Sequence, residues 1–225
     1  MYKLKEIALY ARLTNFIYSQ KGMVKRMTIL YEIEDSLYLN LTNKCPCECI
    51  FCIRNNGEGA YGSDSLWLEK DPTAAQTIAE LKEKDLDSYK EIIFCGFGEP
   101  LEALDILIEI SKYLKENTKT PIRINTNGLS DLIHSKETAH LLEDLIDIVS
   151  ISLNAGSVSE YMRVSQPSFG KPSFEAMLKF AEDCKKYIKD VKFTVVDVIS
   201  PEEIERCKEI AEKMGIELRI RKYQD

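Results

Sequence analysis

Four of the seven cysteines lie within eight residues, from Cys45 to Cys52. Three of them, Cys45, Cys49 and Cys52, follow the spacing C-x3-C-x2-C, and an aromatic residue, Phe51, directly precedes the last. Three thiolates from one short loop can bind three irons of a cubane 4Fe–4S cluster and leave the fourth iron open. The spacing therefore predicts a cluster with Cys45, Cys49 and Cys52 as ligands.

Zinc is the main alternative for this stretch, because a tetrahedral site could also use Cys47. Structural zinc usually takes two separated pairs of ligands, and the sequence contains no second C-x2-C pair. The alternatives are thus a zinc-stabilised binding module and an iron–sulfur protein that only transfers electrons. A disulfide is disfavoured, since the cysteine count is odd and the rest of the chain has an intracellular α/β pattern. In the cluster interpretation Cys47 is a bystander.

From residue 27 onward the sequence alternates strand and helix patterns, which is typical of a parallel α/β sheet. A short strand is predicted at residues 28–33, followed by main strands at 37–42, 91–95, 122–125, 147–153, 191–199 and 216–220. Helices are predicted at residues 72–84, 104–116, 138–145, 173–187 and 201–214. Ser200 is the expected N-cap of the last helix, and Gly215 its expected end. We expect one α/β domain with about six parallel strands.

A second group of candidate residues follows the second main strand. Parallel α/β folds bind ligands at the carboxyl ends of their strands, where the loops converge. The sequence at this point is Gly96-Phe97-Gly98-Glu99-Pro100. Glycines allow a ligand close to the backbone, and a glutamate can accept hydrogen bonds from an ammonium group. Alone, these residues fit an ordinary tight turn with a solvent-facing carboxylate better than a ligand site.

The two motifs together resemble those of the radical S-adenosylmethionine (SAM) enzymes, with the cysteine triad after the first strand and G-x-G-E-P after the second. The resemblance extends over residues 36–220. It implies that Cys45, Cys49 and Cys52 bind a 4Fe–4S cluster whose open iron is chelated by SAM. It also implies that residues 96–100 contact the amino group of SAM.

Further SAM contacts are implied at the ends of later strands. Ser152 and Asn154 stand where the family places contacts to the ribose and carboxylate of SAM, although local backbone bonding would also explain them. Asn127 would face SAM or the substrate, or would serve a plain Asn-Gly turn. Arg163 would pair with a carboxylate, or would be a solvated charge on a helix.

The resemblance also implies a partial (β/α)6 TIM-like barrel, open on one side. In this family one electron from a reduced flavodoxin or ferredoxin cleaves SAM to methionine and a 5′-deoxyadenosyl radical, which abstracts a hydrogen from the substrate. The sequence does not specify that substrate, which could be a small molecule or a protein.

One branch of the family is similar in more detail. The sequence reads L-Y-L-N-L-T at residues 37–42, C-I-R-N-N-G at residues 52–57 and W-L-E at residues 67–69. These stretches resemble the radical SAM proteins associated with TatD-family hydrolases. That name describes a genomic association and does not define a reaction.

Charge and composition narrow the class of protein. The 225 residues carry a net charge of −7, which disfavours binding of nucleic acid by bulk electrostatics. Residues 1–26 hold six basic residues and one acidic residue, a net charge of +5, which leaves −12 for residues 27–225. We interpret residues 1–26 as a basic amphipathic extension, with a helix, and residues 27–225 as the core domain. The apolar run in the extension is too short and polar to span a membrane, and we expect a cytoplasmic protein.

Overall fold

The structure is a computed structural model that describes residues 27–223. Its centre is a seven-stranded sheet in which each strand neighbours the next one along the chain. The strands are β1 (Leu30–Ile33), β2 (Ser36–Leu39), β3 (Glu91–Phe94), β4 (Ile122–Thr126), β5 (Ile148–Ser152), β6 (Asp190–Val196) and β7 (Glu217–Arg221). Strand β1 runs antiparallel to β2, and β2 to β7 are parallel. The six predicted parallel strands are confirmed.

Six α-helices connect the strands of the described residues. They are α1 (Ala74–Leu81), α2 (Leu104–Asn117), α3 (Ser130–His134), α4 (Val158–Ser165), α5 (Pro172–Tyr187) and α6 (Pro201–Met214). Short 3-10 turns lie at Ile53–Asn55, Leu86–Ser88, Pro100–Ala103 and Ala139–Leu142. Helix α6 begins and ends as its sequence predicts: the Ser200 hydroxyl accepts a hydrogen bond from the Glu203 N–H, and Gly215 ends the helix in the left-handed conformation.

The two faces of the sheet differ in chemistry. Alternate strand residues such as Leu37, Leu39, Ile122 and Ile124 belong to the main hydrophobic core. We call the opposite side the inner face; strand register from β2 to β7 places on it Ser36, Tyr38, Glu91, Ile93, Arg123, Asn125, Ile148, Ser150, Ser152, Asp190, Lys192, Thr194, Val196, Glu217, Arg219 and Arg221. Sequential parallel strands with right-handed helical crossovers curve toward a barrel. The predicted partial barrel is confirmed.

Two asparagines fasten the segment that enters the cysteine loop. The Asn40 side chain donates hydrogen bonds to the carbonyl oxygens of Leu66, at 2.7 Å, and Thr28, at 3.2 Å. Asn43 donates to the Leu68 carbonyl at 2.7 Å and accepts from the Leu68 N–H at 3.1 Å. The irregular chain leading to α1 is thereby held beside the exit of β2, because these buried peptide groups find no partner in a sheet or helix.

The predicted helix at residues 138–145 is wrong. The structure has only the 3-10 turn Ala139–Leu142 there, and the backbone takes positive φ angles at Ser135 (51°) and Asp144 (58°), which interrupt a helix. The Thr138 hydroxyl also bonds to Asp131 and Ser130, both at 2.8 Å, and so favours a turn over a helix interior.

Helices α3 and α4 were missed. The signal for α4 was present in the sequence, because the Ser157 side chain caps that helix by accepting from the Glu160 N–H.

The amphipathic extension, residues 1–26, lies outside the described residues. Within residues 27–223 every helix is too short or too polar to cross a bilayer.

Replacing Asn40 by alanine tests the fastening of this segment. The substitution leaves the Leu66 and Thr28 carbonyl oxygens without a donor, so we expect the free energy of unfolding to fall by about 2–3 kcal/mol. Urea denaturation of the metal-free, reduced protein measures the change. Asn117→Ala is the matched control, because Asn117 also donates to a backbone carbonyl, that of Tyr113, but is exposed. An equal decrease in the free energy of unfolding in the two variants would contradict the structural role assigned to the Asn40 hydrogen bonds.

Candidate metal centre

The cysteine loop follows β2 and rests on the end of α4. The Ile50 N–H donates to the Val164 carbonyl at 2.9 Å, and the Glu48 N–H donates to the Ser165 carbonyl at 3.1 Å. Cys47 forms an isolated antiparallel bridge with Pro167. The last carbonyl oxygens of a helix have no partner within the helix. The N–H groups of the cysteine loop bind those of α4, and these hydrogen bonds fix the shape of the loop.

The four thiols of the loop are not equivalent. Cys47 is only 2% exposed and belongs to the main core, whereas Cys45, Cys49 and Cys52 are half-buried. A hydrogen bond from the Cys47 thiol lowers the pKa of Cys45 to about 6 and also lowers that of Cys49, while burial raises the pKa of Cys52. The same contacts raise the pKa of Cys47. Cys47 thus differs from the other three loop cysteines in its deeper burial, and its pKa shift is opposite to those of Cys45 and Cys49.

The donor set suits the predicted cluster. Thiolates bind the metal, and the positive charge of Arg54 further lowers the pKa of Cys45 and Cys49 and opposes the rise in the pKa of Cys52. Among residues 27–223, no three His, Cys, Asp or Glu side chains converge on a single ion. A 4Fe–4S cubane does not need such convergence, because each of its cysteine ligands binds a different iron.

The loop at residues 96–100 packs directly on the start of the cysteine loop. The Glu99 N–H donates to the Lys44 carbonyl at 2.8 Å. A Cβ atom on Gly98 would overlap the carbonyl oxygens of Thr42 and Lys44, and one on Gly96 would overlap the Asn40 side chain. The glycines therefore let two protein loops meet, and the close ligand approach that the sequence suggested stays a prediction.

Glu99 joins the ends of two strands. Its carboxylate is 3% exposed and accepts hydrogen bonds from the Leu101 N–H at 3.1 Å, the Thr126 hydroxyl at 2.7 Å and the Asn127 N–H at 2.7 Å. Burial raises the pKa of Glu99 to about 7. The side chain is therefore no solvent-facing carboxylate of an ordinary turn, and it holds the loop after β3 against the loop after β4.

Asn127 brings the second of these loops to the cysteines. Its side-chain amide lies 3.9 Å from the Cys45 sulfur, in hydrogen-bonding geometry. Since Glu99 binds the backbone of the same residue, Glu99, Asn127 and Cys45 form a continuous polar contact between the loops after β2, β3 and β4.

The other predicted SAM contacts, Asn154, Ser152 and Arg163, differ in position and in hydrogen bonding. Asn154, with a φ angle of 62°, donates from its side chain to the Ser165 hydroxyl at 3.0 Å and so ties the end of β5 to α4. Ser152 lies half-buried on the inner face at the end of β5. Arg163 is exposed and bonds to Glu160 at 2.6 and 2.8 Å, so the structure does not bring its guanidinium into this group.

Phe97 and Pro100 have packing roles. The Phe97 ring is buried and meets Trp67 edge-on, with ring centroids 5.0 Å apart. Pro100 is buried at the start of a 3-10 turn. Of the residues that sequence reasoning missed, Asn40 had a readable signal, since it interrupts an otherwise apolar strand. Ser165 had none, because its partner Asn154 is distant in the sequence.

The raised pKa of Glu99 predicts a pH effect. The usual value is 4.5 and the folded value is about 7, so the folded protein holds this proton more tightly than the unfolded chain. Through this group the free energy of unfolding falls as the pH rises from about 4.5 to about 7, by at most roughly 3 kcal/mol. Glu99→Gln should remove this component.

The measurement is urea denaturation of metal-free, reduced wild type and Glu99→Gln at pH 5 and pH 8. The exposed substitution Glu212→Gln is the control and should keep the pH dependence of the wild type. A difference between wild type and Glu99→Gln that is the same at both pH values would contradict the assigned pKa.

Comparisons with known proteins identify the family of this chain. A family model described as the radical SAM superfamily matches residues 39–214. A probable GTP 3′,8-cyclase of Thermococcus kodakarensis is 29% identical over 188 residues, which cover 82% of this chain and 55% of that protein. A probable dual-specificity RNA methyltransferase RlmN of Pseudothermotoga lettingae is 25% identical over 163 residues, which cover 68% of this chain and 44% of that protein. The chain spans about half the length of these curated relatives.

Solved structures share the fold. The structure of native anSMEcpe with bound AdoMet superposes with a TM-score of 0.59 at 19% identity, covering 84% of this chain and 51% of that one. Methylornithine synthase (PylB) superposes with a TM-score of 0.54 at 14% identity, covering 84% of this chain and 53% of that one. Because the family model spans most of the sequence and the cysteine triad lies within it, the chain belongs to the radical SAM superfamily, whose members are enzymes that use a 4Fe–4S cluster and SAM.

Proposed function

We propose that Cys45, Cys49 and Cys52 bind a 4Fe–4S cluster and that SAM binds at its open iron. When bound, the cluster would supply the electron that cleaves SAM to a 5′-deoxyadenosyl radical, which abstracts hydrogen from a substrate. One observation carries the proposal: three half-buried thiols of a single loop stand at the strand ends, joined through Asn127 to the buried carboxylate of Glu99.

The protein's own residues supply position and charge. The Cys47 thiol and Arg54 favour the thiolate form of Cys45 and Cys49, which is the form that binds iron. Glu99 fixes the loop at residues 96–100 beside the cysteine loop, so the backbone of these residues stands ready to contact the amino group of SAM. With its carboxylate occupied by three donors, Glu99 acts here as a positioning residue.

The other SAM contacts are proposed at the ends of β4 and β5. Asn127, Ser152 and Asn154 lie there, and the half-buried Ser152 is on the inner face, where a cofactor would sit. Arg163 would reach SAM only after leaving Glu160, so we rank it below the others as a contact.

The family branch, the electron donor, the compartment and the substrate class are also part of the proposal. The sequence stretches at residues 37–42, 52–57 and 67–69 favour the branch associated with TatD-family hydrolases. A reduced flavodoxin or ferredoxin would donate the electron to a cytoplasmic enzyme whose core is residues 27–225. The substrate is a small molecule or a protein, and the net charge of −7 disfavours nucleic acid.

Alanine variants of the four loop cysteines test the ligand assignment. After anaerobic reconstitution with iron and sulfide, Cys45→Ala, Cys49→Ala and Cys52→Ala should each lose the broad brown absorption and most of the bound iron, because each removes one of three ligands. Cys47→Ala should keep the cluster and serves as the matched control. Iron analysis, visible absorption and 5′-deoxyadenosine formation from SAM under reducing conditions are the measurements.

The same preparation separates the alternatives. Bound zinc without the brown chromophore in the wild type would establish the zinc-stabilised module and overturn the proposal. A cluster that forms but neither binds nor cleaves SAM would favour an electron-transfer protein. Loss of iron in Cys47→Ala with retention in the other three would overturn the ligand assignment.

A further inference from the structure

Three arginines lie on the inner face of the sheet, and only Arg123 is paired with a carboxylate of the described residues. Arg123 comes from β4, and Arg219 and Arg221 come from β7, three strands away. Register places all three on the inner face, in a chain whose net charge is −7. Parallel α/β enzymes bind their ligands near the carboxyl ends of the strands, and Arg221 is the last residue of β7.

Arg123 is incompletely satisfied. Its side chain is 17% exposed, and its Nη2 atom donates to the Glu91 carboxylate at 2.9 Å. Its Nε atom is buried and has no hydrogen-bond partner. A buried N–H of a charged group without a partner is costly, so a further acceptor at this atom would be favourable.

Arg221 has a neutral partner only. Its Nη2 atom donates to the Tyr61 hydroxyl at 3.2 Å, and no carboxylate of the described residues pairs with it. Tyr61 is 50% exposed and reaches Arg221 from the segment between the cysteine loop and α1. This contact bridges the side of the barrel beside β7, where the sheet has an edge.

The two arginines act on the same neighbourhood. Burial raises the pKa of Tyr38 and that of the Cys95 thiol, and the positive charges of Arg123 and Arg221 oppose both shifts. Arg123 and Arg221 therefore both lie near Tyr38 and Cys95. Glu91 offsets one of these charges, while Lys192 is already paired with Asp190 and Glu217. With Arg219 included, the strand residues of the inner face carry one net positive charge.

We propose that Arg123 and Arg221 bind an oxyanion group of the substrate, a carboxylate or a phosphate, on the inner face of the barrel. Guanidinium groups recognise both anions through paired N–H donors. The anion would accept from the free Nε of Arg123 and replace the Tyr61 hydroxyl at Arg221. The inference rests on the proposed function, because it assigns a substrate class to that same site. Cys95 is adjacent to the loop that contains Glu99, so the anion lies at the base of the loop flanking the cluster cysteines.

The test is a titration of the 225-residue, cluster-reconstituted protein, labelled with ¹⁵N at arginine Nε, at constant ionic strength. Inorganic phosphate is the probe in one arm and acetate in the other. The Arg123 and Arg221 Nε–H signals should shift and saturate in at least one arm, and the arm identifies the anion. Arg221→Gln should weaken that binding about tenfold or more, and Arg221→Lys should weaken it less.

Arg206→Gln is the matched control, because it removes an arginine on α6 whose partner is Glu203, and it should leave binding unchanged. Thermal unfolding establishes that each variant is folded. Shifts that do not saturate in either arm, or that are equal in Arg221→Gln and the wild type, would overturn the inference. SAM cleavage is measured in the same preparation without added anion. Cleavage without saturable anion binding overturns this inference alone, and saturable binding without cleavage overturns the proposed function alone.

Discussion

The cysteine loop depends on hydrogen bonds to chain segments that are remote in sequence. The loop has almost no regular secondary structure, so its backbone groups must find partners elsewhere. The end of α4 supplies carbonyl oxygens for Glu48 and Ile50, and the loop after β3 supplies the Glu99 N–H for the Lys44 carbonyl. The three cysteines are held in fixed positions only because the barrel brings these segments together at the same strand ends.

Glu99 extends that dependence to a third loop. A buried carboxylate is unfavourable unless it is hydrogen-bonded, and Glu99 receives three donors from the ends of β3 and β4. Its position explains why the preceding residue is glycine, since a side chain on Gly98 would push the two loops apart. The motif at residues 96–100 thus connects neighbouring loops. This packing fixes its backbone beside the cysteines.

Much of the fold could be predicted from the sequence, because hydrophobic alternation and capping residues are local signals. The six parallel strands and α6 followed from them. The helix predicted at residues 138–145 does not form, because the Thr138 side chain bonds to Ser130 and Asp131 outside the segment and Asp144 takes a positive φ angle. The cysteine triad was readable from spacing alone, whereas the hydrogen bonds of Glu99 and Asn154 required the fold, since their partners are set by packing between distant loops.

The chemistry of the site rests on one claim, that SAM binds an iron that no cysteine holds. The most direct measurement is the electron paramagnetic resonance spectrum of the anaerobically reconstituted, reduced protein, recorded with and without SAM. We expect the signal of a reduced 4Fe–4S cluster whose line shape changes when SAM is added, because SAM alters the coordination of the open iron. A cluster signal that is identical with and without saturating SAM would contradict the account.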